Sequence, residues 1–172
     1  IGLNVRYFYD TEFIEDGNTI QLVSIGIVSE RGEEYYAVST EFDPHRANAW
    51  VRKNVLNKLP PRSASVWKSN AQIRREVLRF LTTDGRPDLW AWVGAYDHVV
   101  LVQLWGDMSG LPQNLPRFTH ELKQLWEMVG RPKLPDVPKG NHDALVDARH
   151  NLEKFKVCLL YTSPSPRDLS TS

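Results

Sequence analysis

The most constraining stretch of the sequence is the apolar, aromatic segment 7–13, which reads YFYDTEF. Its composition is typical of a buried β-strand, yet it contains Asp10 and Glu12, two positions apart. In an extended segment, side chains at this spacing point to the same side. Two carboxylates on one face of a buried strand are costly unless a cation lies between them. The segment therefore favours a divalent-metal site, although Asp-x-Glu also occurs by chance as a solvated turn and needs further carboxylates to support it.

The size and composition of the chain indicate one globular domain. Its 172 residues fit one domain, with 24% charged and 41% hydrophobic residues. No apolar run is long enough to span a bilayer and no secretory signal pattern is present, so we expect a cytoplasmic protein with no membrane partner. The single cysteine, Cys158, excludes an intramolecular disulfide and a cysteine-based zinc cluster.

A net charge of zero conceals a separation of charge along the chain. Residues 1–43 contain nine acidic and two basic residues, whereas residues 46–79 contain nine basic residues and one acidic residue. An acidic cluster that needs metal, beside a basic region that could follow phosphates, would suit a nuclease. For single residues such as Arg74, Arg75 and Arg79, the solvated face of an amphipathic helix is an equally good explanation.

The order of predicted elements indicates an α/β fold. Three successive segments with strand composition are joined by short turns, which predicts an antiparallel three-strand meander; they are 7–13, 21–28 and 34–40. A fully apolar run at 89–93 predicts a further buried strand. Apolar residues at helical spacing predict helices over 47–59, 70–81, 99–105, 118–129 and 145–155. We therefore expect a mixed sheet of about five strands that is covered by helices.

Two later acids complete a set of four. Asp97 follows the apolar strand where a helix begins, which is a common position for functional groups in α/β sheets, although a helix cap explains it equally well. Asp147 lies in the last predicted helix, five residues after His142. With Asp10 and Glu12, these residues suit a two-metal phosphodiesterase, in which two Mg²⁺ or Mn²⁺ ions about 3.5–4 Å apart activate water and stabilise the leaving oxygen.

The spacing of His142 and Asp147 predicts where each lies. Five helical residues turn the chain by about 500° and leave the two side chains about 140° apart, so they cannot converge within one regular helix. We therefore expect His142 on the loop before the helix and Asp147 inside it. An imidazole there, with an ordinary pKa of about 6.5, could act as general base toward the attacking water.

Three motifs of the sequence together resemble those of the DEDDh family of 3′–5′ exonucleases. They are Asp10-Thr11-Glu12, Tyr96-Asp97 and His142-x-Ala144-x-x-Asp147. Segments 6–17 and 34–42 are also similar to the actinobacterial polyadenylate-specific, RNase T-like exoribonucleases. The resemblance implies an RNase H-like fold, metal binding and catalysis by the four acids, and a general-base role for the histidine. One departure is that residues 92–94 lack the asparagine often found upstream of the second motif.

The same resemblance implies a substrate. It predicts removal of nucleotides from the 3′ end of an RNA, with a preference for adenylate-rich or single-stranded 3′ overhangs, and with Thr11 and Phe13 as substrate contacts. Phe13 could stack on the terminal base, since base–aromatic stacking contributes about 1–3 kcal/mol per base; core packing explains this side chain equally well. Related exonucleases are often dimers, so a homodimer is a further expectation.

Two other functions remain open on the sequence alone. A DNA 3′–5′ exonuclease of the proofreading type would use the same carboxylates. A non-catalytic RNase H-like module that binds nucleic acid would usually lack one or more of the ligands, whereas all five motif positions are filled here.

The two ends of the chain differ from the rest. We interpret Val5 as an alternative start codon read as valine, so that residues 1–4 would form a non-native leader. Residues 158–172 resemble a translated sequencing adapter and are rich in Pro and Ser, which predicts a non-native, disordered tail. The expected unit is therefore a single exonuclease domain over 5–157.

Overall fold

A six-stranded mixed sheet forms the centre of the protein, seen in a computed structural model that describes residues 4–162. The expectations for residues 1–3 and 163–172 lie outside the described residues. The strands are β1 (Val5–Glu15), β2 (Ile20–Ser29), β3 (Glu34–Ser39), β4 (Trp67–Lys68), β5 (Pro87–Ala91) and β6 (His120–Glu121), in the spatial order β4-β3-β2-β1-β5-β6. The antiparallel meander β1–β2–β3 is confirmed. β5 pairs parallel to β1, and the short edge strands β4 and β6 pair parallel to β3 and β5.

Within residues 4–162, five α-helices cover the sheet, and their limits differ from the predicted ones at several ends. They are α1 (Ala49–Asn54), α2 (Asn70–Thr82), α3 (Ala95–Val102), α4 (Leu122–Met128) and α5 (Ala144–Leu159). The helix predicted over 118–129 begins only at Leu122, because the two residues before it pair with β5. Helix α5 includes Cys158, which is buried, and so extends two residues beyond the predicted boundary at Val157. Among the described residues, no helix combines the length and the apolar character needed to cross a bilayer.

Successive side chains of β1 point to opposite faces of the sheet and pack in two different hydrophobic cores. Tyr7 and Tyr9 pack against α2 and α3, in a cluster that includes Ile73 and Val77. Phe8 points to the opposite face and packs against α5 and Leu122. This period of two places Asp10 and Glu12 on the α5 face and Thr11 on the α3 face. The long strand β1 thus carries polar groups toward helices on both sides of the sheet.

A close approach of α5 to the sheet occurs at Gly26 of β2, which pairs with Asp10 across the strands. A Cβ atom at Gly26 would lie 2.4 Å from the backbone nitrogen of Leu145 and 2.5 Å from the carbonyl group of Ala144. Only glycine lets the first turn of α5 rest directly on the strand. The side chain of Asp147, in that same turn, is thereby brought to the acidic end of β1.

Candidate active site

Asp10 lies in the middle of β1, and one of its carboxylate oxygens lacks a hydrogen-bond partner in the described part of the chain. Its Oδ2 atom is buried, and no hydrogen-bond donor reaches it from the described part of the chain. Glu12 follows on the same face, just before the pairing between β1 and β2 shifts register, so that Glu12 pairs with Ser24 and Phe13 with Leu22. A buried carboxylate oxygen without a donor is costly, and a bound cation would offset that cost.

Asp97 reaches the site from the first turn of α3. Gly94 is the N-cap of this helix, so Asp97 does not act as its cap. The Asp97 side chain is buried, and its Oδ1 atom accepts hydrogen bonds from the backbone N–H of Thr11 at 2.9 Å and from the Thr11 hydroxyl at 2.6 Å. These bonds connect α3 to the segment of β1 between Asp10 and Glu12. Both are accepted by Oδ1, so Oδ2 of Asp97 takes no part in them.

Asp147 and His142 meet at the start of α5. The backbone N–H of His142 donates to Oδ2 of Asp147 at 2.9 Å, and Asp143 caps the helix by accepting from the N–H groups of Leu145 and Val146. His142 has a positive φ of 68°, an uncommon conformation for a residue with a side chain. The predicted placement of His142 before the helix and of Asp147 within it is confirmed.

Three of the predicted residues form a group that could hold a metal ion. One ligand atom from each of Glu12, His142 and Asp147 lies within 4.8 Å of the other two. The imidazole is thus close to the carboxylates themselves. Asp10 and Asp97 lie outside this tightest group, although Asp97 is close enough for its negative charge to raise the pKa of Glu12.

Burial and mutual repulsion raise the pKa values of the carboxyl groups. Burial is the main cause for Asp10, followed by the charges of Asp97 and Glu12, and together they hold its pKa well above the ordinary range. Burial also raises the pKa of Glu12 to about 8, with Asp147 as the next contributor. The pKa of Asp97 is raised to about 6, chiefly by burial, against the lowering effect of its hydrogen bonds from Thr11. Hard oxygen donors that repel one another in this way fit a divalent cation such as Mg²⁺ or Mn²⁺.

The two implied substrate contacts lie in different environments. Thr11 is only 3% exposed, and its backbone N–H and its hydroxyl both donate to Asp97. Its side chain is therefore buried against Asp97 rather than exposed on a surface. Phe13 is partly buried and stacks on Tyr96, with ring centroids 5.8 Å apart and an interplanar angle of 14°. It also borders a cavity of about 360 Å³ that Glu12 and Trp50 help to line. Phe13 therefore contributes both to packing and to an open space beside the carboxylates.

Two further residues at the site were not identified from the sequence. Trp50 of α1 is 55% exposed and meets the imidazole of His142 edge to face, with ring centroids 5.0 Å apart. Glu121 accepts from the backbone N–H groups of Val93 at 2.7 Å and Gly94 at 2.9 Å. It thereby holds the turn before α3, where Val93 has a positive φ of 50°. Only the tertiary structure reveals these contacts.

Several basic side chains of the stretch 46–79 form ion pairs or hydrogen bonds within the chain. Arg46 pairs with Asp16, and Lys68 pairs with Glu76 at 2.5 Å. The Arg52 guanidinium donates to backbone carbonyl groups. Part of the charge imbalance thus stabilises the fold, which weakens the inference of a phosphate-binding surface from sequence counts alone.

The fold and the acidic site together define an RNase H-like nuclease. The chain belongs to the family described as the 3′–5′ exoribonuclease Rv2179c-like domain, whose model matches residues 5–159. Among curated proteins, the 3′–5′ exoribonucleases Rv2179c and MT2234.1, from two strains of Mycobacterium tuberculosis, are each 61% identical over 155 residues, which cover 89% of this chain and 92% of the relative. The family and these relatives make the chain a 3′–5′ exoribonuclease and set aside the DNA-specific and non-catalytic alternatives.

Solved structures show the same fold at low sequence identity. S. pombe Pop2p in its Mg²⁺- and Mn²⁺-bound form has a TM-score of 0.50 at 11% identity, over 90% of this chain and 82% of Pop2p. The catalytic unit of Neurospora crassa Pan2, with protease and nuclease domains, has a TM-score of 0.53 at 12% identity, over 95% of this chain and 30% of that protein. The predicted RNase H-like fold is therefore confirmed.

Proposed function

We propose that this exoribonuclease hydrolyses the terminal phosphodiester bond of single-stranded RNA 3′ ends by a two-metal mechanism. The observation that carries the proposal is the buried, unpartnered Oδ2 atom of Asp10 among carboxyl groups whose pKa values are raised. Such an arrangement is unfavourable in a metal-free protein and becomes favourable with divalent cations between the oxygens.

The ligands in this proposal are four side chains, Asp10, Glu12, Asp97 and Asp147. Two Mg²⁺ ions, or Mn²⁺ in their place, would supply an activated water and would stabilise the leaving oxygen. The four side chains come from three elements: two from β1, one from α3, where Thr11 donates to it, and one from the first turn of α5. Support for these metals comes from S. pombe Pop2p, whose structure has Mg²⁺ and Mn²⁺ bound.

His142 is the general base in this proposal. Its backbone N–H donates to Asp147, while its imidazole lies near Glu12 and is nearly perpendicular to the ring of Trp50. The imidazole can take the proton of the attacking water and pass it to solvent. Thr11 acts through Asp97, whose carboxylate it orients, rather than by touching the RNA with its side chain.

The substrate enters beside Phe13. We propose that the last base of an adenylate-rich, single-stranded 3′ end occupies the cavity that Phe13 and Trp50 border, because aromatic faces bind unpaired bases by stacking. We further propose that the chain acts as a homodimer in the cytoplasm and that residues 5–157 form a single exonuclease domain. The family model, which describes an exoribonuclease domain and matches residues 5–159, supports the RNA substrate and the single domain among these proposals.

The test is a time course on 5′-labelled RNAs that share one body and differ in a 3′ tail of A, C, G or U. With Mg²⁺ we expect products that shorten from the 3′ end, fastest for the A tail, and no products in EDTA. A DNA oligomer of the same sequence tests selectivity for RNA. The variants Asp10→Asn and Asp147→Asn should abolish cleavage, whereas Asp136→Asn, at an exposed position outside the proposed ligand set, should not. Full activity in either ligand variant would refute the proposed site.

A further inference from the structure

A half-buried lysine lies on the same face of α5 as Asp147, two turns further along. Lys154 follows Asp147 by seven residues, which brings the two positions to within about 20° of each other around the helix. Helical side chains lean toward the N-terminus, so the Lys154 side chain extends back toward the acidic site. Between them, Asn151 donates to the backbone carbonyl of Tyr9 at 3.4 Å, which holds this face of α5 against β1 next to Asp10.

The ammonium group of Lys154 is fixed by an aromatic ring rather than by an acid. Its Nζ atom lies 4.1 Å from the centroid of the Trp92 ring, a cation–π contact at the end of β5. No carboxylate in the described part of the chain lies within ion-pair distance of it. Lys156, two residues later on the same helix, is instead exposed and pairs with Glu153 at 3.1 Å. The two lysines therefore differ in environment although they share a helix.

The charge of Lys154 acts on the metal-free site. Burial is the main influence on this lysine and lowers its pKa, whereas the negative charges of Asp147 and Asp10 act in the opposite direction. A positive charge held near clustered carboxylates reduces their repulsion even without direct contact.

We propose that Lys154 acts as a built-in counter-charge for the carboxylate site, stabilising the metal-free protein and weakening the binding of divalent cations. The inference rests on the proposed ligand set and deepens it. Cations that enter the site meet a fixed positive charge, so the metal requirement of the enzyme is set by Lys154 as well as by the ligands. Lys154 is a positioning and tuning residue that touches neither the proposed ligands nor the reacting atoms.

The experiment compares Lys154→Met, Lys154→Arg and Lys156→Met by calorimetric titration with Mg²⁺ and by thermal unfolding in EDTA and in Mg²⁺. Removing the charge should tighten Mg²⁺ binding by about three- to tenfold. Lys154→Met should also lower the Tm in EDTA and enlarge the rise in Tm that Mg²⁺ produces. Lys154→Arg keeps both the charge and the cation–π contact and should behave like the unmodified protein, as should Lys156→Met.

The outcomes separate this inference from the proposed function. If the unmodified protein binds no Mg²⁺, or if Asp10→Asn binds it equally well, the ligand set fails and the role of Lys154 fails with it. If Asp10→Asn weakens binding but Lys154→Met leaves both the Mg²⁺ affinity and the Tm in EDTA unchanged, only the inference about Lys154 is overturned. An increased KM for RNA with unchanged Mg²⁺ affinity would also overturn it, since it would indicate a contact with the phosphate backbone.

Discussion

The hydroxyl of Thr11 donates a 2.6 Å hydrogen bond to the carboxylate of Asp97, and the Thr11 backbone N–H donates a second one to the same oxygen at 2.9 Å. This relationship connects two acids of β1 with the acid of α3, because Thr11 lies between Asp10 and Glu12 but points to the opposite face of the sheet. One strand therefore presents two carboxylates directly and orients a third from behind.

Replacing Thr11 by Val tests this connection, since the side chain keeps its shape and loses only the hydroxyl. The buried Asp97 oxygen keeps one of its two donors, so we expect a loss of about 1–2 kcal/mol in the free energy of unfolding. We also expect weaker Mg²⁺ binding, measured by calorimetry. Thr11→Ser restores the donor and should recover most of both quantities. A Thr11→Val protein with unchanged Mg²⁺ affinity would argue against a role in orienting Asp97.

Gly26→Ala tests whether the close packing of α5 on β2 positions Asp147 in the site. The added methyl group would meet the backbone of Ala144 and Leu145 at 2.4–2.5 Å, so the first turn of α5 must move. We expect a loss of about 1–3 kcal/mol in urea unfolding, as is usual for overpacking. The rate of RNA cleavage should also fall, and by more than the loss of folded protein explains, because Asp147 moves with the turn. Gly26→Ser should be at least as harmful, and a fully active Gly26→Ala protein would contradict this view.

Glu121→Gln tests the support of the turn that precedes α3. An amide nitrogen cannot accept from the N–H groups of Val93 or Gly94, so one of these donors loses its partner. We expect a loss of about 1–3 kcal/mol in stability, together with a reduced rate of RNA cleavage. Glu127→Gln serves as the matched control, because this exposed residue forms only a surface ion pair with Arg131 and should cost less than about 1 kcal/mol. Equal effects of the two changes would disprove the role of Glu121.

The pH dependence of stability in EDTA follows from the raised pKa values. Glu12, with its pKa raised to about 8, and Asp10, whose pKa is also raised, keep protons in the folded state that they lose in the unfolded state. The folded protein thus binds more protons between about pH 5 and pH 8, and stability from these groups must fall as pH rises through this window.

Comparison with Glu12→Gln isolates this effect, because the other titrating groups are common to both proteins. The variant should show a smaller decline in Tm between pH 5 and pH 8, and at pH 8 in EDTA it should be more stable than the unmodified protein. Thermal unfolding at intervals of half a pH unit measures both. Parallel curves would mean that Glu12 titrates as an ordinary surface acid.

Some features of this site were accessible from sequence because they depend on local geometry. The spacing of Asp10 and Glu12 determines their common face, and the turn per helical residue excludes His142 from the helix that carries Asp147. The contacts of Glu121 and Trp50 depend instead on elements far apart in the chain. Strand β6 has only two residues, too few to show alternation, so Glu121 was assigned to a helix. The position of Thr11 behind Asp97 likewise depends on where α3 packs.

The most direct test of the central claim is a crystal structure of the protein soaked in Mn²⁺, with the ions located by their anomalous scattering. We predict two peaks about 3.5–4 Å apart, with Asp10 within coordination distance of the ions, Glu12, Asp97 and Asp147 as the other protein ligands, and the imidazole of His142 bound to neither. A single peak coordinated by Glu12, Asp147 and the imidazole of His142 would contradict both the two-metal mechanism and the role of His142 as general base.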